Sequence, residues 1–238
     1  MSMRRGGPAL PYQLLAGVQS CPGGWLVTSA RLQGISLSGP ASEVYGHFID
    51  VLDNRPAFTV VALHLPLGLP DRHSPGGRAC DRAARRLLGR PRSAAIASPP
   101  TREDLREWKE GGAPAVSAVT RSLLRRVAEA YEVIGSYHQR SVFEVHPELS
   151  FYQLNEAQPL RYPKRTSAGR AERTALLEDR IPGAAAALES TPAGAKPAQV
   201  VDGMAMLFTA RRIRARSIVR IPDMAEWDAE GLRMELIY

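Results

Sequence analysis

The stretch Leu14 to Val27, LLAGVQSCPGGWLV, constrains the fold more than any other. Its apolar run, with Leu14, Leu15 and Val18, reads as a buried strand. The run ends in Cys-Pro-Gly-Gly, and Trp25, Leu26 and Val27 open a second strand. Pro22 presets one backbone angle, and Gly23 and Gly24 supply the positive φ values that a reversal needs. A strand running into a glycine turn carries the residues before the turn, here Gln19 and Ser20, toward an exposed rim. That rim is where α/β domains place their chemistry, so function depends on what Gln19 faces.

Beyond this stretch the chain alternates. Ile35 to Leu37 reads as a short third strand after the Gln33-Gly34 turn, and Ser42 as the cap of a helix running to about Asn54. Phe58 to Leu65, FTVVALHL, is apolar except for His64 and long enough for a strand buried on both faces. Arg78 to Leu88 has helical spacing, with Ala79, Ala83 and Leu87 as its packing face and Arg78, Arg82, Arg85 and Arg86 as a cationic ridge. That ridge suits either a solvated face or phosphate. A short polar helix is expected between Pro91 and Gly112. Val116 to Ile134 predicts the clearest helix, with the stripe Val116, Val119, Leu123, Val127, Tyr131 and Ile134. Ser141 to Val145 predicts another strand, and Pro147 opens a helix to Leu154. Further helices are expected near 168–179 and 200–214, and a last strand at 234–237. Early hairpins followed by helical crossovers predict an α/β fold, a mixed sheet covered by helices.

Composition excludes some classes. No run approaches the roughly 20 apolar residues of a membrane span, and residues 1–11 read as a flexible leader rather than a signal peptide. Two cysteines in 238 residues make no disulfide framework, which fits a cytoplasmic setting. The formal net charge is +7, and 28 of the 31 basic residues are arginines. Guanidinium forks suit phosphate oxygens, so charge favours a nucleic-acid partner and no membrane. The sequence carries no reading of oligomeric state.

Four polar residues sit at element ends: Gln19, His64, Glu144 and Asp202. His146 and Glu148 follow Glu144 closely. Strand ends on one edge of a parallel sheet converge, so these four form the expected catalytic set. Oxygen ligands gathered there would hold Mg²⁺ or Mn²⁺ and support phosphodiester hydrolysis. A second donor set, Glu144, Asp202, His64 and His146, suits Zn²⁺ or Mn²⁺. Each residue also has a plain structural role open to it: a turn hydrogen bond for Gln19, a core position for His64, an arginine pair for Glu144, a helix N-terminus for Asp202.

The motifs AGVQSCPGGW (16–25), LHLPLGLPD (63–71), GGRACDRAARRLLGR (76–90), EVHPELSF (144–151), KRTSAGRAERTALL (164–177) and VVDGMAMLFTARR (200–212) resemble those of the domain-of-unknown-function 429 family. Its members are predicted to be RNase H-like nucleases. The resemblance implies one RNase H-like domain over 12–238, with a five-stranded mixed sheet in the order 3-2-1-4-5 and helical insertions at about 71–135 and 155–197. It also implies Lys164, Arg170 and Arg173, beside the arginine ridge, as substrate contacts. The sequence departs from the family where aspartates are usual, at Gln19 and His64, and where an acidic pair is frequent, at Ala198 and Gln199. Two remaining carboxylates offset only about half the charge of two divalent ions. Metal-dependent nuclease activity is therefore expected to be weak or lost. The alternative is a non-catalytic nucleic-acid-binding or protein-interaction module on the same fold.

Overall fold

A computed structural model describes residues 12–238; the leader expectation for 1–11 lies outside the described residues. The sheet has five strands: β1 (Gln13–Cys21), β2 (Gly24–Gln33), β3 (Ser36–Tyr45), β4 (Phe58–His64) and β5 (Val142–Glu144). Their spatial order is β3-β2-β1-β4-β5. The first three pair antiparallel, while β4 lies parallel to β1 and β5 parallel to β4. This is the α/β architecture and strand order expected above. A hairpin of β6 (Arg220–Trp227) and β7 (Arg233–Ile237) stands beside it, and Ile237 bridges to Val145 just past β5.

Eight helices accompany the strands among the described residues. A short helix α1 (Phe48–Leu52) precedes β4, and α2 (Ala79–Leu88), α3 (Arg102–Lys109) and α4 (Ala118–Tyr131) lie between β4 and β5. After β5 come α5 (Pro147–Leu154), α6 (Ser167–Arg180), α7 (Ala184–Glu189) and α8 (Pro197–Arg214). None of the described helices is long and apolar enough to cross a membrane.

The central strands β1 and β4 are buried on both faces, which explains their nearly unbroken apolar runs. On one face, Leu15, Val60 and Ala62 pack against Met204, Leu207 and Phe208 of α8. On the other, Val18, Val61 and Leu63 pack against Leu124 and Val127 of α4. Helix α8 is enclosed, because α5, α6 and α7 cover the side turned away from the sheet. A helix so covered is apolar all round, as its sequence VVDGMAMLF already shows.

Two glycines let α8 come this close. A methyl group on Gly17 of β1 would fall inside van der Waals distance of the Gly203 carbonyl oxygen and 2.8 Å from the Leu207 nitrogen. A methyl on Gly203 would collide with the Thr28 hydroxyl of β2. The crossing is backbone against backbone, and it seats Asp202 beside the end of β1.

Several local expectations are corrected. Strand β3 runs on to Tyr45, pairing with β2 over nearly its whole length, so the expected helix from Ser42 shrinks to α1. The Ser42 hydroxyl meets Thr28 Oγ1 at 2.9 Å instead of capping a helix. Strand β1 continues through Cys21, so Gln19 is buried inside the sheet rather than placed at an open rim. The buried residues of α2 are Cys80, Asp81, Ala84 and Leu88, one position on from the expected face, because the charged Asp81 is drawn inward. In α4 the expected stripe fails at its start: Val119 is 59% exposed, and Leu124, Val127, Ala128 and Ala130 are buried. Small alanines carry part of this contact, and a reading of large side chains passes over them. β6 and α7 were not expected. Of the two turn glycines, only Gly24 has positive φ.

Gly17→Ala is expected to destabilise the protein by about 1–3 kcal/mol or more in urea denaturation, because the colliding atoms are backbone. Gly46→Ala, which meets no atom within 4 Å, is the matched control and should be close to neutral.

Candidate functional site

The register decides which side chains meet. Gln19 lies opposite His64, and Leu63 opposite Glu144. Side chains alternate along a strand, and aligned residues share a face. Leu63 belongs to the α4 side, so Glu144 faces that side too. Gln19 and His64, in step with Leu15 and Ala62, face α8. The expected four-residue set is therefore divided between the two faces of the sheet. Among the described residues, no group of three or more His, Cys, Asp or Glu could hold one metal ion. The shared ligand set Glu144, Asp202, His64 and His146 is not assembled, and strand alternation is the reason.

On the α4 face, Glu144 is 6% exposed and meets the guanidinium of Arg78. Arg78 Nη1 donates to Glu144 Oε2 at 2.8 Å, and Nη2 donates to Oε1. The Leu67 backbone N–H adds a bond of 2.6 Å. Arg78 itself is 4% exposed. Its remaining donors reach Asp81 and the carbonyls of Leu67 and Gly68. Burial pushes the Glu144 carboxyl up to about 7, against the pull of Arg78. Burial alone would lower the guanidinium, but Glu144, Cys80 and Asp81 hold it well above its ordinary value, so it stays charged. Arg78 was expected in the substrate-binding ridge. It is instead a buried partner that ties the 66–78 loop and the start of α2 to β5.

On the α8 face, Asp202 is 5% exposed and its Oδ2 is paired with the Lys164 ammonium. Its Oδ1 is buried without a partner among the described residues. Burial raises the Asp202 carboxyl, with Lys164 opposing. Gln19 Nε2 donates to the Gln199 carbonyl at 2.7 Å, and Gln199 Nε2 donates to the Ser20 carbonyl at 2.8 Å. Two amides thus stitch α8 to β1 at the positions where the resemblance implies acids. Arg173, another expected substrate contact, is 1% exposed and donates from Nη2 to both oxygens of Glu148 at 2.8 and 2.9 Å. Burial and this ion pair take it away from any substrate.

His64 and His146 are partly buried and stand edge to face, with ring centroids 4.7 Å apart. Nδ1 of His146 accepts the Glu148 backbone N–H at 3.2 Å, which caps α5 and fixes the neutral ring. Burial lowers both rings, and the nearby Lys164 charge adds to it. For His146 the value falls to about 4. A cavity of about 150 Å³ touches both rings and reaches Arg78 and Glu144 around the sheet edge.

Mg²⁺ needs hard oxygen ligands carrying negative charge. Here Asp202 carries an ammonium, Glu144 carries a guanidinium on the other face, and Gln19 presents an amide already engaged. These residues do not fit Mg²⁺. His64 and His146 suit a softer ion, but His146 Nδ1 is taken.

The remaining basic residues divide by exposure. Arg86 and Arg170 are exposed, and Arg170 donates only to the Arg165 carbonyl. Arg82 and Arg85 donate to the backbone carbonyls of Gly77, Ile96 and Gly76 and keep their charge uncompensated. Arg92 donates to the carbonyls of Leu160 and Arg161, which ties the segment after α2 to the one leading into Lys164. The sequence reading offers Glu144 an arginine pair without naming Arg78, and notes Gln199 as a departure without its bond to β1. Paired departures at 19 and 199 were the available signal for Gln199.

A family model described as "Protein of unknown function (DUF429)" matches residues 17–226, and the chain belongs to that family. No curated protein and no solved structure matches the chain significantly.

Replacing Arg78 by Met leaves Glu144 buried and unpaired. The expected loss is about 3–5 kcal/mol in denaturant unfolding, and a loss under about 1 kcal/mol would contradict a structural role. The two imidazoles supply a second check. Both folded-state values lie below the ordinary 6.5, so as pH falls the unfolded chain binds protons first. The contribution of His146 to stability is full above about 6.5 and is lost as pH falls toward about 4. Side-chain NMR should show His64 and His146 neutral at pH 6, and titration midpoints near 6.5 would contradict it.

Proposed function

We propose that this protein is a divergent RNase H-like family member that binds nucleic acid without metal-dependent hydrolysis. The observation that carries the reading is the Lys164 ammonium seated on Asp202, at the end of β1 where the resemblance puts a metal. A resident cation there balances the carboxylate that a nuclease would use for its ion. On the opposite face Arg78 does the same for Glu144. Two family acids, at 19 and 199, are amides that hold each other's strand and helix in place.

Binding, by contrast, needs only positive charge in the right place. Arg82, Arg85 and Arg86 lie on α2, and Arg165 and Arg170 at the start of α6; Arg92, which follows α2, bonds the carbonyls of Leu160 and Arg161 ahead of that second group. Arginine forks on these segments suit the phosphates of a single or double strand, and they set position rather than sequence. Such contacts release counterions, so affinity falls as salt rises.

The purified protein is expected to give no DNA or RNA cleavage with Mg²⁺ or Mn²⁺ above that of Asp202→Asn. In the same preparation, log affinity for an RNA or DNA oligonucleotide should fall linearly with log salt, with a slope of roughly −0.7 per phosphate contacted on a single strand. Arg82→Ala with Arg86→Ala should reduce that slope. Robust metal-dependent cleavage that Asp202→Asn abolishes contradicts the first half, and binding indifferent to salt contradicts the second.

A further inference from the structure

At the far end of the sheet from His64, the start of β1, the end of β2 and the last turns of α8 enclose a cavity of about 630 Å³. That volume is in the range of small-ligand sites. Arg211, Arg212 and Arg214 enter it from α8, and Tyr12, Leu32 and Ile35 from the strand ends. No carboxylate is among its lining residues.

The arginines are held in place and short of partners. Arg214 donates to Gln13 Oε1. The guanidiniums of Arg211 and Arg212 lie over the Phe208 ring, 5.1 and 6.0 Å from its centroid. Nε of Arg212 is buried and has no hydrogen-bond partner among the described residues. Burial lowers both guanidiniums, and like charge adds to it: Arg180 acts on Arg211, and Arg211 on Arg212. A helix C-terminus favours basic residues in its last turn. That accounts for one or two arginines near free carbonyls. It does not account for guanidiniums crowded until they disfavour one another around an open cavity, nor for a buried N–H with nothing to bind.

The missing component is an anion with several acceptor oxygens. A phosphate dianion accepts from several guanidinium N–H groups at once, and such charge-assisted bonds are short and strong. Besides the polar Gln13 and Ser217, the rest of the lining is Tyr12, Leu32, Gly34, Ile35 and Ala215. Leu32 is buried, and Ile35 is 85% exposed at the hairpin turn, an unusual place for a large aliphatic side chain with nothing to cover. We propose that this cavity binds a phosphomonoester attached to a flat organic group, with the size and chemistry of a mononucleotide. The phosphate lies against Arg211, Arg212 and Arg214, and the flat group lies against Leu32, Ile35 and Tyr12. The site is separate from the basic surface around α2 and does not depend on nucleic-acid binding there.

Titration calorimetry on the full chain with AMP, adenosine and inorganic phosphate tests this. AMP is expected to bind at least about tenfold more tightly than either part alone, since one charge-assisted contact is worth about that factor. Arg212→Gln should weaken AMP by a similar factor. Ile35→Glu, at an exposed position that cannot disturb the core, should weaken it too by setting a negative charge at the mouth. The proposal is overturned if AMP does not bind the wild type at about millimolar concentration, if adenosine or phosphate binds as well as AMP, or if Ile35→Glu leaves AMP affinity unchanged.

Discussion

The contact between the backbones of α8 and β1 governs the rest of the structure. Gly17 and Gly203 allow a helix to lie directly on the central strand, with no side chain between them. At ordinary helix-on-sheet spacing, Asp202 would not reach the end of β1, and Gln19 could not bond the Gln199 carbonyl. The same approach explains why α8 is apolar on every side. It is pressed on the sheet by α5, α6 and α7, so its few polar atoms must find partners within the protein. Lys164, Gln19 and Ser20 supply most of them.

Strand alternation is the second constraint. A one-residue offset between Leu63↔Glu144 and Gln19↔His64 turns Glu144 to the α4 face, while Gln19 and His64 turn to the face that carries Asp202 on α8. Each carboxylate then meets a cation of its own chain: Arg78 for Glu144, Lys164 for Asp202. The Arg78–Glu144 pair is buried on both sides and adds little net stability, because both charges are desolvated, but breaking it is costly; Lys164 keeps part of its side chain in solvent. The consequence for function is that the charges a metal would balance are balanced internally. The histidines add none, since burial keeps both rings neutral at neutral pH.

Much of the fold was legible in the sequence, for physical reasons. FTVVALHL and LLAGV are unbroken apolar runs because both faces of β1 and β4 are covered. The Cys-Pro-Gly-Gly turn required a reversal after β1, and Pro147 marked the start of α5. What was not legible depended on tertiary context. Strand β3 is an edge strand rich in Ser, Gly and Pro, with no apolar alternation to announce it, and pairing with β2 sets its length. The face of α2 is displaced by one position because Asp81 turns inward; in α4 Val119 leaves the expected stripe, and Leu124 and small alanines join Val127 in the core. For the site, His64 and Glu144 end their strands, while Gln19 lies two residues inside the end of β1 and Asp202 in the second turn of α8. Which face each one takes depends on register, and register between strands 80 residues apart is not written in local spacing. Arg78 and Arg173 looked like surface arginines for the same reason, since only the folded chain shows the carboxylates waiting for them.

The central claim is that Lys164 holds the place of a metal at Asp202. Crystals soaked in Mn²⁺ and measured at the manganese absorption edge test it most directly. The account predicts no anomalous peak between Asp202 and Gln19, with the Lys164 ammonium still on the carboxylate. A strong peak there, with Lys164 displaced and Asp202 ligating the ion, would contradict it.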